Sequence, residues 1–195
     1  MSFLIEALGV DIQLIDQILK GRLIKESVVL DAGCGSGRNS LPLLKQGFRV
    51  VAFDPDNACS AYFIDYPKAF MNQNIAEFPT DKKYDFIICN AVLHFAKNHV
   101  EFEEMVSKLV SLLSNDGVLF IRMTSDMAFR NDVLINENGR CLLPDGSDRY
   151  LLTIDKLRGI IETNNIKLIE PVKTVNVQDI RCMTTLVFSK NASYN

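Results

Sequence analysis

Short apolar runs alternate with amphipathic stretches along most of this chain. Five runs are predicted to be buried strands, because they are rich in Val, Ile, Leu and Phe and are bounded by Gly, Pro, Asn or Asp. They cover residues 28–30, 49–53, 68–74, 84–90 and 118–123. Strands separated in this order by helices predict a parallel sheet with crossover helices.

The stretches between the runs have helical spacing. In residues 11–20, Ile12, Ile15, Ile18 and Leu19 form one apolar stripe, which predicts an amino-terminal helix that buries them. Further helices are predicted over 38–46, ended by Gly47, over 57–66, and over 100–113, before the turn signal at 114–117.

The last third of the chain breaks this alternation. Residues 124–150 lose all periodicity and predict an irregular insertion near the mouth of a substrate site. Thr153 is a predicted N-cap for a helix over 154–163, and two strand-like runs, 166–175 and 182–188, follow as a hairpin. The predicted fold class is α/β: a doubly wound, Rossmann-like sheet of seven mixed strands with an antiparallel carboxyl-terminal hairpin strand, in a single domain over 1–195.

Composition narrows the function classes. A chain of 195 residues with 48% hydrophobic content can bury one core, and a net charge of -3 offers no basic field, so no nucleic-acid partner is expected. No apolar run nears the roughly 18 residues that span a bilayer, and the amino terminus lacks a secretory signal, so no membrane association and a cytoplasmic location are expected.

The cysteines and histidines predict no metal site. Five scattered cysteines form no C-x-x-C pair, and the chain has only two histidines to complete a ligand set. We therefore interpret the cysteines as reduced, mostly structural thiols; they are Cys34, Cys59, Cys89, Cys141 and Cys182.

The segment from Val28 to Ser40 predicts a ligand-binding turn. It passes from a buried strand through glycines at 33, 35 and 37 into a helix, and glycines let the backbone approach a ligand closely. A dinucleotide fingerprint would need a third glycine where Arg38 stands, which weakens the pyrophosphate interpretation.

Two acids indicate what the turn binds. Asp31 comes just before the glycines, where its charge disfavours a phosphate and suits a cationic ligand. Asp54 ends the next strand, where a carboxylate can accept hydrogen bonds from ribose hydroxyls, although Asp54-Pro55 is also an ordinary strand stop. A nucleoside with a charged amino-acid tail and no phosphate fits both acids, and S-adenosylmethionine is such a molecule.

The run Leu30-Asp31-Ala32-Gly33-Cys34-Gly35-Ser36-Gly37 resembles the first motif of class I S-adenosylmethionine-dependent methyltransferases, and Asp54 matches their second-strand acid. The resemblance covers roughly residues 26–123. Within that superfamily, residues 37–41, 47–50 and Asp54 are similar to the small tellurite-resistance-type and type 11 and 12 methyltransferases, a resemblance that carries no substrate.

The resemblance implies roles for individual residues. The three glycines would flank the methionine and ribose portions, with Asp31 near the amino group and Asp54 at the ribose. Asn74 stands where the family usually has an acid, so its bond to the adenine amine would lack charge assistance. The expected cofactor-binding residues are Asp31, Gly33, Cys34, Gly35, Gly37, Arg38, Asn39, Asp54, Pro55, Asn74, Ile75, Asn90, Ala91 and Leu93.

Other positions keep two interpretations each. His94, just past a strand end, is either a general base or a packing residue. Asp126 either faces a substrate or caps a turn, whereas Arg149 and Arg181 lie near a substrate mouth or on a solvated surface. In many relatives, a helical segment like residues 1–25 folds over the cofactor as a lid, whereas charges on such a helix are by default solvated.

The expected function is in-line transfer of a methyl group from S-adenosylmethionine to a small-molecule acceptor, which would leave S-adenosylhomocysteine. Two alternatives stay open. One is a non-catalytic S-adenosylmethionine-binding module. The other is an aminopropyl transferase of similar fold, which would need an acidic pair that the sequence after the fourth strand does not obviously provide. The sequence does not indicate an oligomeric state.

Overall fold

The structure, a computed structural model, describes residues 9–131 and 133–190. Ten strands are found in this part of the chain: β1 (Val28–Ala32), β2 (Arg49–Asp54), β3 (Phe70–Asn72), β4 (Tyr84–Asn90), β5 (Leu113–Thr124), β6 (Arg140–Leu142), β7 (Asp148–Tyr150), β8 (Ile166–Leu168), β9 (Lys173–Val177) and β10 (Arg181–Lys190). The α-helices are α1 (Ile12–Leu19), α2 (Ser40–Lys45), α3 (His99–Ser111) and α4 (Ile154–Asn164).

One mixed sheet forms the centre of the fold. Its order is β3-β2-β1-β4-β5-β10, and both β8 and β9 pair with the outer edge of β10. Strands β1 to β5 run parallel, whereas β10 is antiparallel to its neighbours. The chain moves outward from β1 to β3 and then returns beside β1 as β4, so a crevice opens at the carboxyl ends of β1 and β4, where doubly wound sheets bind their ligands.

Apolar side chains cover both faces of the sheet. Phe102, Val106 and Leu109 of α3 and Leu157 of α4 pack on one face, against Ile87 of β4 and strands beside it. Leu14 of α1 and Leu43 of α2 pack on the other face, with Phe86 and Phe120. This two-sided burial confirms the predicted α/β class. No helix in the described part of the chain combines the length and the apolar character needed to cross a bilayer.

The strand prediction is corrected at the carboxyl terminus. The run 166–175 is two strands, β8 and β9, because Pro171 between them has no N–H to donate to a ladder. The sheet therefore has eight strands within the described residues instead of seven. The predicted pairing of this region with the last strand is confirmed, since β9 and β10 form an antiparallel pair.

Several predicted helices are shorter or tighter than expected. Residues 57–63 form a 3₁₀ helix, in which the Ser60 hydroxyl bonds to the carbonyl of Asn57 and competes with α-helical bonding. Residues 37–39 are a turn, so the helix predicted over 38–46 covers only α2. Residues 114–117 are a bulge at the start of β5, because Leu113 pairs with Tyr84 and Val118 already pairs with Phe86.

The predicted apolar stripe of α1 is wrong at both ends. Ile12 and Leu19 are 72% and 77% exposed, whereas Leu14 and Gln17 are fully buried. The rotation of the helix is fixed by Asp11, whose buried side chain caps the Gln13 N–H and binds Arg122 and Asn90 of the sheet. Polar contacts at the cap therefore override the apolar periodicity.

The stretch predicted to be irregular, 124–150, contains regular structure. Strands β6 and β7 form an antiparallel hairpin, with Arg140 opposite Tyr150. The buried Tyr150 stacks on Phe102 of α3, and its hydroxyl lies 2.8 Å from Nδ1 of His99. These contacts anchor the hairpin at the carboxyl edge of the sheet. The predicted N-cap is confirmed, because the Thr153 hydroxyl accepts a hydrogen bond from the Lys156 N–H at 3.1 Å.

Candidate functional site

The glycine turn after β1 is held close to the two neighbouring strands. The N–H groups of Gly33 and Cys34 both donate to the carbonyl of Phe53 in β2, at 2.9 and 3.0 Å. Gly33 has a φ of 71°, and a Cβ at this position would lie 2.4 Å from Cγ2 of Val92, which follows β4. The close approach of these two segments therefore requires a glycine at position 33.

Asp31 is a carboxyl group buried without a cationic partner among the described residues. It is 2% exposed, and its Oδ2 accepts a hydrogen bond from the Ser40 hydroxyl at 2.5 Å. Burial raises the pKa of Asp31 to about 6; the Ser40 bond lowers it and the charge of Asp54 raises it further. A buried acid whose neighbours do not neutralise it suits a positively charged ligand.

Asp54 links the end of β2 to the glycine turn. Its Oδ2 accepts a hydrogen bond from the Gly35 N–H at 2.9 Å, and its Oδ1 accepts one from the Asp56 N–H at 3.0 Å. Each carboxylate oxygen has two acceptor positions, so both oxygens keep capacity for ligand hydroxyls. The geometry is compatible with the ribose role predicted for this residue.

A cavity of about 700 Å³ opens at the carboxyl edge of the sheet. Neither Asp31 nor Asp54 is among the residues that line it, although their neighbours in sequence Gly33, Phe53 and Pro55 are. Four of the predicted cofactor residues line it: Gly33, Pro55, Asn74 and Ile75. Val92 belongs to the segment after the fourth strand that the family resemblance places between cofactor and substrate. Sequence reasoning missed the rest of the wall, namely Phe53, Ala76, Phe95, Glu101, Glu104, Met105 and Lys108. The spacing of Glu101, Glu104 and Lys108, which places them on one face of α3, was an available signal.

Asn74 is already engaged within its own loop. Its Oδ1 accepts a hydrogen bond from the Glu77 N–H at 2.9 Å, and its amide nitrogen donates to the Glu77 carboxylate at 2.8 Å. These bonds fix the orientation of the side chain at the cavity wall. One lone pair of the amide oxygen is left for a ligand donor.

The segment after β4 separates this large cavity from a smaller one. Asn90 donates its amide to Asp11 at 3.0 Å, which ties the segment to the start of α1. Ala91 has a φ of 61°, a left-handed conformation that costs a residue with a Cβ about 1–2 kcal/mol. Leu93 is buried in the core on the α3 side of the sheet. Backbone strain at this position is typical of functional sites.

The smaller cavity has a volume of about 250 Å³ and places His94 beside several arginines. It is lined by Arg38, Asn90, Ala91, His94, Arg122, Thr124, Leu143, Asp145, Ser147, Arg149, Val177, Arg181 and Met183. Arg38, Asn90 and Ala91, predicted to bind the cofactor, and His94, the candidate base, line this cavity and not the large one. Arg149 and Arg181 were noted in the sequence as residues near a substrate mouth or on a solvated surface. The sequence separates the contributing segments widely, and the fold of the β6–β7 hairpin brings them together.

His94 is a buried histidine, 6% exposed, whose Nδ1 has no hydrogen-bond partner among the described residues. Burial lowers the pKa of His94 to about 4, and the charges of Arg149 and Arg181 lower it in the same direction. The imidazole is therefore neutral at pH 7 and a weak base, and it can share a hydrogen bond with a ligand in the cavity.

Four other predicted cofactor residues, in or directly after the glycine turn, contact neighbouring parts of the protein. Arg38 donates from Nε to the carbonyl of Gly9, and Asn39 accepts a hydrogen bond from the Asp11 N–H at 3.1 Å. A Cβ on Gly37 would lie 2.7 Å from Cγ of Leu41. Cys34 is buried in a small apolar cluster, and burial raises the pKa of its thiol. All five cysteines are free and buried.

Comparison with known proteins identifies the family. A profile of the methyltransferase domain matches residues 9–170. A ubiquinone biosynthesis O-methyltransferase from Rickettsia felis is 31% identical over 104 residues, an alignment that covers 50% of this chain and 41% of the relative.

Two solved structures share the fold. One is magnesium protoporphyrin IX methyltransferase from Synechocystis PCC 6803, with bound S-adenosylhomocysteine. It superposes on this chain with a TM-score of 0.71 at 20% sequence identity, and the alignment covers 95% of this chain and 83% of the Synechocystis chain. An S-adenosylmethionine-dependent methyltransferase from Methanosarcina mazei has a TM-score of 0.72 at 17% identity and covers 89% and 96% of the two chains.

Proposed function

This chain belongs to the methyltransferase-domain family, and we propose that it transfers the methyl group of S-adenosylmethionine to a small-molecule acceptor. The observation that carries the proposal is the large cavity, which is bounded by Gly33 after β1, Pro55 after β2 and Asn74 after β3. Cavities of this size, mostly apolar with a few convergent polar groups, are typical of cofactor sites.

The residues around the cavity fit this cofactor. Asp31 would hold the cationic amino end, because its carboxyl group is buried and has no cation beside it among the described residues. Asp54 would accept hydrogen bonds from the ribose hydroxyls, and Asn74 and Ile75 would contact the adenine. Because Gly33 packs closely on Val92 and has no side chain, the backbone of the turn would itself contact the ligand.

When bound, S-adenosylmethionine supplies a methyl carbon that a lone pair of the acceptor attacks while the carbon–sulfur bond breaks and its electron pair stays on sulfur. The chain's own residues position the acceptor and exclude water. The acceptor would enter from the small cavity, since residues 90–94 separate it from the large one. His94, the candidate general base, would accept a hydrogen bond on its Nδ1 from an oxygen or nitrogen acceptor. Because its pKa is lowered to about 4, it would take the proton only as methyl transfer makes that proton acidic.

Two segments around the site extend the proposal. Segment 1–25 would act as a lid: Asp11, the N-cap of α1, accepts a hydrogen bond from Asn90 at 3.0 Å, whereas residues 1–8 lie outside the described residues. The β6–β7 hairpin, within 124–150, would form the acceptor mouth, because Leu143, Asp145 and Arg149 line the small cavity.

The similar proteins support methyl transfer to a small molecule. The Rickettsia relative is named as an O-methyltransferase of ubiquinone biosynthesis, and the Synechocystis structure contains S-adenosylhomocysteine. The chain spans 41% of the length of the Rickettsia relative, so the acceptor of that enzyme is not carried over.

Calorimetry with S-adenosylmethionine tests the cofactor, and release of S-adenosylhomocysteine in a screen of small acceptors tests the activity. We expect one bound cofactor per chain and turnover with at least one acceptor. Tighter binding of decarboxylated S-adenosylmethionine would favour an aminopropyl transferase, for which Glu101 and Glu104 in the cavity wall would provide the acidic pair. Cofactor binding without any turnover would favour a non-catalytic module.

A further inference from the structure

The small cavity carries an excess of positive charge. Four arginines line it, namely Arg38, Arg122, Arg149 and Arg181, whereas its wall contains a single acid, Asp145. Behind the wall, the buried Asp11 pairs with Arg122. When Asp11 and Asp145 are set against two of the arginines, the charge of the other two is uncompensated within the cavity.

Arg149 and Arg181, whose charges act on His94, keep guanidinium donors available for a ligand. Arg149 donates to the carbonyl of Asp148 at 3.0 Å, and its guanidinium carbon lies 4.7 Å from the centre of the Phe95 ring. These contacts orient the guanidinium without neutralising it.

In residues 9–131 and 133–190, the Arg181 guanidinium forms no hydrogen bond or ion pair. Hydrogen bonds from Ser147 lower the pKa of Asp145, and the charges of Arg181 and Arg149 both lower it as well. This single carboxylate offsets one of these two arginines and leaves the other for a ligand.

A second observation indicates a ligand at the same place. Two buried side-chain atoms lack a hydrogen-bond partner in the described part of the chain, Nδ1 of His94 and Nε of Arg122, and both residues line this cavity. An unpaired buried polar atom costs about 1–3 kcal/mol. Native proteins leave few such atoms without a partner. The presence of two of them at one cavity therefore indicates that a ligand supplies their hydrogen-bond partners.

The size and the remaining walls restrict the ligand. A volume of about 250 Å³ accommodates several waters or one small molecule. Leu143, Val177 and Met183 add apolar surface to the wall. A small apolar body with one negatively charged group matches this combination.

We propose that the methyl acceptor carries an oxyanion, a carboxylate or a phosphate, which Arg149 and Arg181 bind in the small cavity. This inference rests on the proposed function, because it takes the small cavity as the acceptor side of the site. The planar guanidinium forms two parallel hydrogen bonds with either oxyanion. Binding the charged group there leaves the opposite end of the acceptor to reach the segment at Asn90 and Ala91, next to the large cavity.

The test compares matched small molecules on the full chain loaded with S-adenosylhomocysteine. Dissociation constants for benzoate, phenyl phosphate and the neutral benzamide are measured by ligand-observed NMR. We expect at least one anion to bind about tenfold or more tightly than benzamide. Tighter benzoate would identify a carboxylate acceptor and tighter phenyl phosphate a phosphorylated one.

Substitutions then locate the binding. The double variant Arg149→Gln, Arg181→Gln should lose the preference for the anion while binding S-adenosylmethionine as the wild type does. The matched control is Arg158→Gln, an exposed arginine of α4 that pairs with Asp155 at 3.3 Å, and it should keep the wild-type preference. Equal or undetectable binding of all three molecules, or a preference that survives in the double variant, would overturn the inference.

The experiments can contradict the proposed function and the oxyanion acceptor independently of each other. If S-adenosylmethionine and S-adenosylhomocysteine do not bind, the proposed function is wrong, and the anion preference is then measured on the chain alone. If both bind and the anions show no advantage over benzamide, the cofactor assignment stands and the oxyanion acceptor is wrong.

Discussion

The Asp54 carboxylate accepts a hydrogen bond from the Gly35 N–H at 2.9 Å, so the acid at the end of β2 holds the turn at the end of β1. The Asp56 N–H binds the other carboxylate oxygen at 3.0 Å. The residue proposed to bind ribose therefore also shapes the glycine turn that is proposed to face the cofactor.

Because Asp54 both holds the turn and is proposed to bind ribose, two substitutions at position 54 should differ in their effects on stability and on cofactor affinity. Asp54→Ala removes both acceptors and should weaken S-adenosylmethionine binding by about 10- to 100-fold, since a hydrogen bond to a charged group contributes about 1.5–3 kcal/mol. Asp54→Asn keeps one acceptor oxygen, so it should be more stable than Asp54→Ala and still bind the cofactor less tightly than the wild type. Calorimetry and thermal unfolding measure the two effects. Wild-type affinity in Asp54→Asn would contradict the ribose assignment.

Asp31→Asn should increase the stability of the cofactor-free protein. Burial raises the pKa of Asp31 from 3.8 to about 6, so between these values the folded protein holds a proton that the unfolded chain releases. The contribution of this group to the free energy of unfolding therefore falls as pH rises from 4 to 6. At pH 7 the cost is on the order of 3 kcal/mol, which the neutral amide avoids.

The same substitution should weaken cofactor binding, because it removes the charge that is proposed to hold the amino group. Denaturant unfolding at pH 4 and pH 7, together with calorimetry, checks both effects. Loss of stability at pH 7 without a loss of affinity would show that Asp31 has a structural role instead.

The parts of the fold that local chemistry determines were predictable from the sequence. Strand β4 has the predicted bounds Tyr84–Asn90, and Thr153 caps α4 as expected. The exposure of Ile12 was not predictable from periodicity, because the rotation of α1 depends on the contact of Asp11 with Arg122, 111 residues away.

The candidate site divides in the same way. Gly33, Pro55, Asn74 and Ile75 follow successive strands of a parallel sheet, so the sequence order alone places them at one edge. The wall of the small cavity instead depends on the β6–β7 hairpin and the β9–β10 pair, which no short-range pattern connects to His94.

Two glycines of the turn differ in a testable way. Gly33 and Gly35 both have positive φ, 71° and 54°, so an alanine at either position costs about 1–2 kcal/mol in backbone strain. At Gly33 the new Cβ would also meet Val92 at 2.4 Å, whereas at Gly35 it would meet nothing within 4 Å.

Gly33→Ala should therefore lower the free energy of unfolding by about 1–3 kcal/mol more than Gly35→Ala does, the usual cost of overpacking. Chemical denaturation of the cofactor-free variants measures the difference. Equal losses in the two variants would mean that Val92 moves aside without cost.

Asp11→Asn should destabilise the protein by on the order of 3 kcal/mol. The Asp11 side chain is fully buried and accepts hydrogen bonds from Arg122 and Asn90, so the substitution leaves the arginine without its counter-charge. Asp155→Asn is the control, because Asp155 pairs with Arg158 on an exposed surface and should cost less than about 1 kcal/mol. Urea unfolding compares the two, and similar values would show that the buried pair contributes no more than a surface pair.

His94 should make the stability of the protein depend on pH. Burial and the charges of Arg149 on β7 and Arg181 on β10 lower the pKa of His94 from 6.5 to about 4. Between these values the unfolded chain takes up a proton that the folded protein does not, so the contribution of His94 to stability is complete above pH 6.5 and is lost as pH falls toward 4. The loss is on the order of 3 kcal/mol.

His94→Gln should flatten this part of the curve of stability against pH. The double variant Arg149→Gln, Arg181→Gln should raise the pKa of His94, because it removes two charges that lower this pKa. Titration of the His94 ring by NMR measures the pKa directly, and a midpoint near 6.5 in the wild type would show that neither burial nor the arginines act on the imidazole.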